Sequence, residues 1–447
     1  MTSFGSENSP IPEVIVQKIW GWQRQRDRAR TVRLVLAALA GVSWILGFAL
    51  GEDSSGGGRF DFLNTHWPAS KMFADAPFLM ALREDPSATP PLHHMLMAAL
   101  PWVHDEFAYR LTGFAFGTAV LVAFAIAVRR RFALVWPDGS LALLATGAVA
   151  LSPGLRSASF WGNTDVLPLL FTALTALLLR DRSTGTWHSS ATPTRIGGVA
   201  LLSAAAFYTR QNFIFLPLFS FWILAVRSRA PLVPLCFTFG LTAVPALALF
   251  GLWRGLTPPA VQAERMHALD QLASGSAPDL TSFVYLGAMV APFALPFLVA
   301  RKSPPGRWKP ILLGYCVLGA VLFLCFRHMQ LSPLGGGAVT KLGLLLGPAG
   351  LPVVLALAAL GWCCIGAALA ASADNAVLFG FAAFPLLVIG TLYQRYLDPL
   401  AFILVLLLAS PPLAPPLVTE RSVVASYMLF MFFEVMGILW YMLLGHT

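Results

Sequence analysis

The stretch VRLVLAALAGVSWILGFALG, residues 32–51, decides the fold class of this chain. Arg33 is its only charged residue, and the basic segment Lys18–Arg33 leads into it. About 20 mostly apolar residues make a helix long enough to cross the hydrocarbon core of a bilayer. The stretch therefore predicts a transmembrane helix, and its length indicates a retained anchor rather than a cleaved signal peptide.

The rest of the chain repeats this character. Of its 447 residues, 57% are hydrophobic and 11% are charged, whereas a water-soluble domain carries roughly a quarter charged residues. Further apolar segments lie at 110–128, 139–154, 164–179, 196–209, 212–226, 231–253, 281–300, 310–326, 342–371, 376–392, 396–409 and 424–444. Prolines inside several of them are tolerated in membrane helices. We therefore expect an all-α polytopic membrane protein of about 12–13 spans, folded as one domain over residues 1–447.

The net charge of +9 comes from basic residues in short runs between the apolar segments. Lys and Arg favour the cytoplasmic side of a membrane, so the N-terminus is predicted to be cytoplasmic. Alternation of the spans then places the other basic connectors inside as well: Arg129–Arg131, Arg180–Arg195, Arg227–Arg229, Arg301–Lys309 and 410–422. This distribution favours membrane orientation over nucleic-acid binding.

Residues 1–30 are expected to form a cytoplasmic segment with an interfacial helix, because Ile15, Ile19 and Trp22 recur at helical spacing. The abundance of Ala, Gly and Leu and the lack of an endoplasmic-reticulum retention ending favour a bacterial plasma (inner) membrane. Five cysteines lie inside apolar stretches without disulfide or zinc spacing.

The outer segments differ from the inner ones. The longest, 52–109, is predicted to be an extracytoplasmic loop with surface helices around Phe78–Leu82 and Leu92–Val103. The other outer segments are 155–163, 208–212, 254–280, 327–341 and 393–398. Ionisable residues at membrane boundaries are costly, so each is a functional candidate. The candidates gathered on this face are Asp61, His66, Asp75, His93, Asn163, Asp165, Arg210, Gln211, Asn212, Arg327, His328, Lys341, Arg395 and Tyr396.

Each candidate also has a structural interpretation. Asp61 suits a solvated loop, and Asp165 suits the start of a helix. Arg210 and Arg395 suit helix ends anchored at the interface, and the His93–His94 pair suits a polar loop.

Taken together, this layout resembles the GT-C superfamily of membrane glycosyltransferases, which take a sugar from a polyprenyl-phosphate carrier. Three local strings are similar to the eukaryotic family that adds the last glucose to the dolichol-linked oligosaccharide. They are His66-Trp67-Pro68 with the later Thr89-Pro90-Pro91, then Asn163-Thr164-Asp165, then Thr209-Arg210-Gln211-Asn212; a late Arg395-Tyr396 also matches. The sequence departs from that family where Asn64 and Thr65 stand near the place of an acidic pair, with Asp61 displaced by a residue or so. The Arg-Gln-Asn string is one residue shorter.

The resemblance implies an inverting sugar transfer from a polyprenyl-phosphate donor to an extracytoplasmic glycan, lipid or protein acceptor, in contact with membrane lipids. Asp61 is then expected to be the general base, with Asp75 and Asp165 as the fallback candidates. Positive charge from Arg210, Arg327, Lys341 and Arg395 would hold the leaving phosphate. The expected remaining contacts to substrate are His66, His93, Asn163, Gln211, Asn212, His328 and Tyr396.

No cofactor is expected, and no metal, because Asp61, His66, Asp75 and His93 lack a compact ligand spacing. A multi-span transporter or lipid flippase is the competing interpretation, because intramembrane charges also line transport paths. Transporters often contain two repeated halves, and the long first outer loop breaks any such symmetry. A non-catalytic membrane scaffold is the third interpretation.

Overall fold

A computed structural model describes residues 13–181, 186–188, 190–261, 280–300, 308–331, 336–387, 392–410 and 417–443. Within these ranges the chain is helical and forms no β-strand, apart from one isolated bridge between Arg180 and Trp187. The α-helices are α1 (Glu13–Leu50), α2 (Gly58–Asp61), α3 (Trp67–Asp75), α4 (Phe78–Glu84), α5 (Leu92–Ala98), α6 (Glu106–Arg131), α7 (Ser140–Ala150), α8 (Pro153–Phe160), α9 (Val166–Leu179), α10 (Pro193–Thr209), α11 (Phe215–Trp222), α12 (Leu232–Trp253), α13 (Thr281–Val299), α14 (Trp308–Phe326), α15 (Gly337–Leu345), α16 (Gly350–Ala371), α17 (Ala373–Leu387), α18 (Leu400–Ile403) and α19 (Glu420–Gly437). Short π-helical turns continue α2, α11, α18 and α19, at Phe62–His66, Ile223–Arg227, Leu404–Leu408 and Ile438–Leu443.

Six helices of the described chain are long and apolar enough to cross a membrane. They cover Gln25–Leu50, Glu106–Arg131, Leu232–Trp253, Thr281–Val299, Gly347–Ala371 and Glu420–Leu443. Four apolar helices are shorter, at Val166–Leu179, Gln211–Arg227, Leu313–Phe326 and Ala373–Leu387. The chain is thus a helical protein with several membrane-spanning helices, as the sequence predicts, and the larger total of spans stays a prediction.

The first span belongs to a longer helix. α1 is continuous from Glu13 to Leu50, so the expected interfacial helix is its N-terminal extension rather than a separate element. Residues 1–12 and the side chains of Ile15, Ile19 and Trp22 lie outside the described part of the chain. So do residues 262–279 of the predicted connector 254–280, residues 301–307 of Arg301–Lys309 and residues 411–416 of 410–422.

The predicted span 139–154 is two helices. α7 and α8 are bent by 68° at the break between them. Pro153 restricts the residue before it to extended backbone, and Ser152 adopts φ −66° and ψ 118° there. Its hydroxyl accepts a hydrogen bond from the Leu155 N–H at 3.1 Å, which caps α8. The bend turns α8 towards the segment that carries Arg395.

Two other predicted spans are interrupted. The segment 342–371 contains the end of α15, a short 3₁₀ turn at Gly347–Ala349 and then α16. Gly347 has φ +57° and Pro348 follows it, so a continuous helix is broken there. In the segment 396–409, a 3₁₀ turn ends at Tyr396 and a continuous α- and π-helical stretch covers only residues 400–408. Nine residues are too few to cross a bilayer in α-helical form.

A buried charged group holds the end of α1 in place. The Arg156 guanidinium on α8 donates from Nε to Glu52 Oε1 at 2.7 Å, and its Nε lies 2.8 Å from Glu434 Oε1 on α19. The three side chains are between 1% and 5% exposed. A buried charge without its partner is strongly destabilising, so this cluster fixes where the loop after α1 begins.

Candidate functional site

The loop after α1 places Asp61. Gly51 has φ +67° and ends the helix, and Gly56 has φ +72°. The Asp53 carboxylate accepts hydrogen bonds from the backbone N–H groups of Gly58 at 3.0 Å and Arg59 at 2.9 Å, at the start of α2. Asp61 is the last residue of α2, so its position is set by a short, internally bonded turn.

Asp61 forms an ion pair with Arg395. Arg395 lies in a 3₁₀ turn, Gln394–Tyr396, which packs against α8. A side chain at Gly154 on α8 would clash with the carbonyl of Asp398 and come within 3.3 Å of the Arg395 Cα, so only glycine allows this approach. Burial works to lower the pKa of Arg395, but the negative charges of Asp61 and Asp165 raise it above its usual value.

A second ion pair joins Asp165 to Arg210. Asp165 precedes α9, and Arg210 follows the last residue of α10 in extended backbone. The Tyr396 ring is close to both cations, with its centroid 5.0 Å from the Arg210 guanidinium carbon and 5.9 Å from that of Arg395. Cations are attracted to the face of an aromatic ring at such distances. The predicted candidates Asp61, Asp165, Arg210, Arg395 and Tyr396 therefore form one cluster, which we call the arginine–aspartate cluster.

A small pocket opens beside this cluster. It is lined by Gly154, Asp165, Leu169, Asn212, Phe213, Arg395, Tyr396, Asp398 and Leu400. Asp398 is buried, and its carboxylate accepts a hydrogen bond from the Gly154 N–H at 3.1 Å. Burial raises the pKa of Asp398 to about 7. The buried atoms Arg210 Nε, Arg395 Nε and Asp398 Oδ1 have no hydrogen-bond partner among the described residues, so the cluster keeps polar capacity for a ligand.

Histidines of the loop 52–109 form a buried group next to the cluster. His66 ends the π-helical turn after Asp61, and His93 and His94 lie on α5. His66 Nδ1 lies 3.1 Å from His94 Nε2, and His93 Nε2 lies 3.0 Å from the carbonyl oxygen of Gly162. His94 Nδ1 lies 3.6 Å from Asp85 Oδ2, and both residues are fully buried.

The charges of the cluster act on these rings. Burial lowers the pKa of His66 well below its usual value, and repulsion between a protonated His66 and its neighbours lowers it further, from His94 and His93 when they are protonated and from the guanidinium groups of Arg210 and Arg395. Burial also lowers the pKa of His93 to about 3. Both imidazoles are therefore neutral near pH 7.

Two other candidates support the backbone around the site. The Asn163 amide donates to the carbonyl oxygen of Gly58 at 3.0 Å, and the Gln211 amide donates to that of Ala88 at 2.9 Å. They tie the loop 52–109 to the starts of the helices that carry Asp165 and Asn212. Their amide nitrogens are thereby occupied by the protein itself.

Four predicted candidates lie away from the cluster in the contacts of the described chain. Asp75 is 63% exposed and lies 3.3 Å from His104 on the surface. Arg327 and His328 contact each other and are exposed. The Lys341 ammonium lies 3.8 Å from the centre of the Tyr441 ring, and burial lowers its pKa to about 8. Gly56 packs against the same tyrosine ring, which puts Lys341 at the edge of the loop that carries Asp61.

Sequence reasoning missed Asp85 and Asp398. Asp398 follows the Arg395-Tyr396 string directly, so its nearness to a candidate was a usable signal. No such sequence signal marked Asp85, because it lies in a polar loop where carboxylates are usually solvated. Its burial depends on how α4 and α5 pack.

This arrangement has two chemical capacities. Two guanidinium groups, each with a buried nitrogen that has no hydrogen-bond partner in the described part of the chain, can bind the oxygens of an anion. A carboxylate held next to them can accept a proton. No protein-family model matches this chain, no curated protein is significantly similar to it, and no solved structure matches it significantly.

Proposed function

We propose that this protein is a membrane glycosyltransferase of the GT-C type, which uses a polyprenyl-phosphate sugar as donor. The observation that carries the proposal is the arginine–aspartate cluster, in which Asp61 and Asp165 pair with Arg395 and Arg210 around Tyr396. It combines a phosphate-binding group and a candidate base in a helical membrane protein. Its members other than Asp61 come from the strings that resemble the family of the dolichol-linked oligosaccharide glucosyltransferase.

The proposed reaction exchanges one bond at the sugar. A hydroxyl oxygen of the acceptor forms a bond to C1, and the bond from C1 to the phosphate oxygen breaks with inversion. The Asp61 carboxylate takes the hydroxyl proton, and the electron pair of the broken bond leaves with the polyprenyl phosphate. Arg395 and Arg210 stabilise the charge that develops on that phosphate. Asp165 is the alternative base.

The pairing of Asp61 with Arg395 gives donor binding a second role. A guanidinium presents a planar fork that phosphate oxygens can bind in the same way as a carboxylate. A donor phosphate would therefore compete with Asp61 for Arg395. The carboxylate released from that pair would be the stronger base, so activation of the base would follow arrival of the donor.

The test is a transfer assay on the purified full chain in nanodiscs. A panel of short-chain polyprenyl-phosphate sugars is supplied, and release of polyprenyl phosphate is followed. We expect release from one donor and its loss by a factor of roughly 10² or more in Asp61→Asn. Asp27→Asn is the matched control, because Asp27 is exposed on α1, away from the cluster.

The outcomes separate the candidate bases. Full turnover in Asp61→Asn, with loss in Asp165→Asn, would move the base to Asp165. Turnover that survives both substitutions but fails in Asp75→Asn would move it to Asp75. Folded protein that releases nothing from any donor, with a lipid-linked or polysaccharide acceptor present, would contradict the proposal.

One observation favours the competing function of a transporter or lipid flippase. The cluster of Glu52, Arg156 and Glu434 is buried between membrane helices, and such charges mark transport paths in many carriers. If no sugar is released, movement of a fluorescent polyprenyl phosphate between the leaflets of a proteoliposome is the next measurement. Loss of that movement in Glu434→Gln would support transport.

A further inference from the structure

A line of three buried side chains leads from the interior of the loop 52–109 to the candidate site. It begins at Asp85, continues through His94 at 3.6 Å and reaches His66 at 3.1 Å. Asp85 and His94 are fully buried, and His66 is 4% exposed. No group of three or more His, Cys, Asp or Glu in the described chain is arranged to hold a metal ion. The step from His94 to His66 is a hydrogen bond, whereas the step from Asp85 to His94 is an electrostatic contact between two buried atoms that have no hydrogen-bond partner among the described residues.

The position of each hydrogen in this chain follows from Asp85. An ionised carboxylate only accepts hydrogen bonds, so the field of Asp85 Oδ2 favours a hydrogen on His94 Nδ1. When His94 carries only that hydrogen, its Nε2 accepts from the Nδ1–H of His66. A neutral His66 with its hydrogen on Nδ1 presents Nε2 as a bare acceptor.

The local backbone places His66 beside the site. The π-helical turn Phe62–His66 has hydrogen bonds between residues five apart, so Asp61 and His66 are one turn apart on the same element. The charges of Arg210 and Arg395 reach the His66 ring. Nε2 has no protein partner among the described residues, whereas Nδ1 is occupied by His94.

We propose that His66 Nε2 accepts a hydrogen bond from a substrate hydroxyl, and that Asp85, acting through His94, is the positioning residue that fixes this tautomer. The inference rests on the proposed glycosyl transfer, because it assigns the acceptor atom to a hydroxyl of the sugar donor or of the sugar acceptor. The tautomer itself does not depend on any activity and can be measured separately.

Asp85→Asn is the decisive substitution, because it replaces one carboxylate oxygen by an NH₂ group and leaves the size and shape of the side chain nearly unchanged. Asp85 Oδ1 already accepts from the Ser87 N–H at 2.8 Å, so the asparagine oxygen will stay there. Its NH₂ group will then stand where Oδ2 lies, 3.6 Å from His94 Nδ1, and will favour a bare Nδ1 instead of one that carries a hydrogen. The hydrogens of both imidazoles must shift, and His66 Nε2 becomes a donor.

The first measurement is nitrogen NMR of the full chain, labelled with ¹⁵N-histidine, in lipid. The chain has eight histidines, and the signals of His66 are identified by their loss in His66→Gln. We expect the hydrogen on Nδ1 in the wild type and on Nε2 in Asp85→Asn. Asp75→Asn, which changes the exposed pair with His104, should leave the His66 signals unchanged. A hydrogen on Nε2 in the wild type, or no change in Asp85→Asn, would overturn the chain, whether or not the protein transfers sugar.

The second measurement assigns the hydroxyl. In the transfer assay we expect Asp85→Asn to reduce kcat/KM by roughly tenfold or more. His66→Gln keeps an acceptor oxygen at similar reach and should lose less than His66→Leu. Donors that lack one sugar hydroxyl at a time are then compared in both proteins.

If removing one sugar hydroxyl from the donor lowers kcat/KM of the wild type but does not lower kcat/KM of Asp85→Asn, that hydroxyl of the donor is the one that His66 contacts. If every deoxy donor lowers kcat/KM by the same factor in both proteins, and Asp85→Asn has a higher KM for the acceptor, the hydroxyl belongs to the acceptor. Equal activity of Asp85→Asn, His66→Leu and the wild type would overturn the substrate contact even with the tautomer confirmed. Should Asp85→Asn fail to fold, the comparison of His66→Gln with His66→Leu decides the same point.

Discussion

His93 shows how a residue predicted to bind substrate can have a structural role. It is 1% exposed, and its Nε2 lies 3.0 Å from the carbonyl oxygen of Gly162. Since a carbonyl only accepts, Nε2 carries the hydrogen and donates. The ring therefore ties α5 to the turn before Asp165 and has to stay neutral to remain buried.

The pKa of His93 predicts a loss of stability in acid. Burial lowers it from 6.5 to about 3, so protons bind the unfolded chain more tightly than the folded one. The contribution of neutral, buried His93 to the free energy of unfolding is fully present above pH 6.5 and is lost as the pH falls towards 3. At pH 5 the loss is about 2 kcal/mol. His93→Gln keeps the Nε2 donor without titrating, so its unfolding temperature should fall less than that of the wild type between pH 7 and pH 5. If the unfolding temperatures of both proteins fell equally between pH 7 and pH 5, the buried, neutral state of His93 would be contradicted.

At the scale of single residues, the sequence identified the cluster but not its pairing. Asp61 and Arg395 are 334 positions apart, and nothing local predicts that a candidate base and a candidate phosphate ligand will neutralise each other. Burying an unpaired charge costs free energy, and this cost marked Asp61 and Arg395 as candidates. The same cost explains why they pair. Asp75 and Arg327 were marked by the same rule, yet the surface solvates them, which residue type alone does not reveal.

At the scale of elements, the length of the apolar segments predicted where several helices lie but did not predict the breaks inside the longer segments. The segments 164–179 and 231–253 match α9 and α12 within two residues. The segment 139–154 does not match, because Ser152 and Pro153 start a new helix inside the apolar run. A serine before a proline is an N-cap signal as well as a kink signal, and hydrophobicity outweighed it in the prediction.

The contact between α13 and α16 predicts a sharp effect of one methyl group. A Cβ at Gly361 would lie 3.1 Å from the Gly287 Cα and clash with the Gly287 carbonyl, so the two backbones touch. Small residues allow such close packing of membrane helices. Gly361→Ala should destabilise the protein by roughly 1–3 kcal/mol. Thermal unfolding in detergent, followed by tryptophan fluorescence, measures the change.

Gly366 provides the control in the same helix. A Cβ there meets nothing within 4 Å, and alanine favours a helix more than glycine does. Gly366→Ala should therefore match or exceed the stability of the wild type. Equal losses in the two variants would contradict the role of the contact with Gly287, because alanine raises helix propensity at both positions.

At the scale of the whole molecule, the proposed function depends on which side of the membrane holds the arginine–aspartate cluster. Sidedness was predicted from the basic connectors, and the cluster was found from contacts that do not depend on it. The loop 52–109 is tied to both ion pairs. Asp61 belongs to this loop, and the Ala88 carbonyl accepts a hydrogen bond from Gln211, the residue after Arg210. One measurement of this loop therefore fixes the side of the whole site.

Two single-cysteine variants test the topology. The native cysteines Cys236, Cys316, Cys325, Cys363 and Cys364 are first replaced. Ala74 in the loop 52–109 and Ala133 after α6 are both exposed, so each is then changed to cysteine alone. Because Arg129–Arg131 ends α6 and basic residues stay cytoplasmic, an impermeant thiol reagent should label Ala74→Cys in intact cells. It should label Ala133→Cys only after permeabilisation. The opposite result would put the cluster on the cytoplasmic face, where a lipid-linked donor for an extracytoplasmic acceptor could not react.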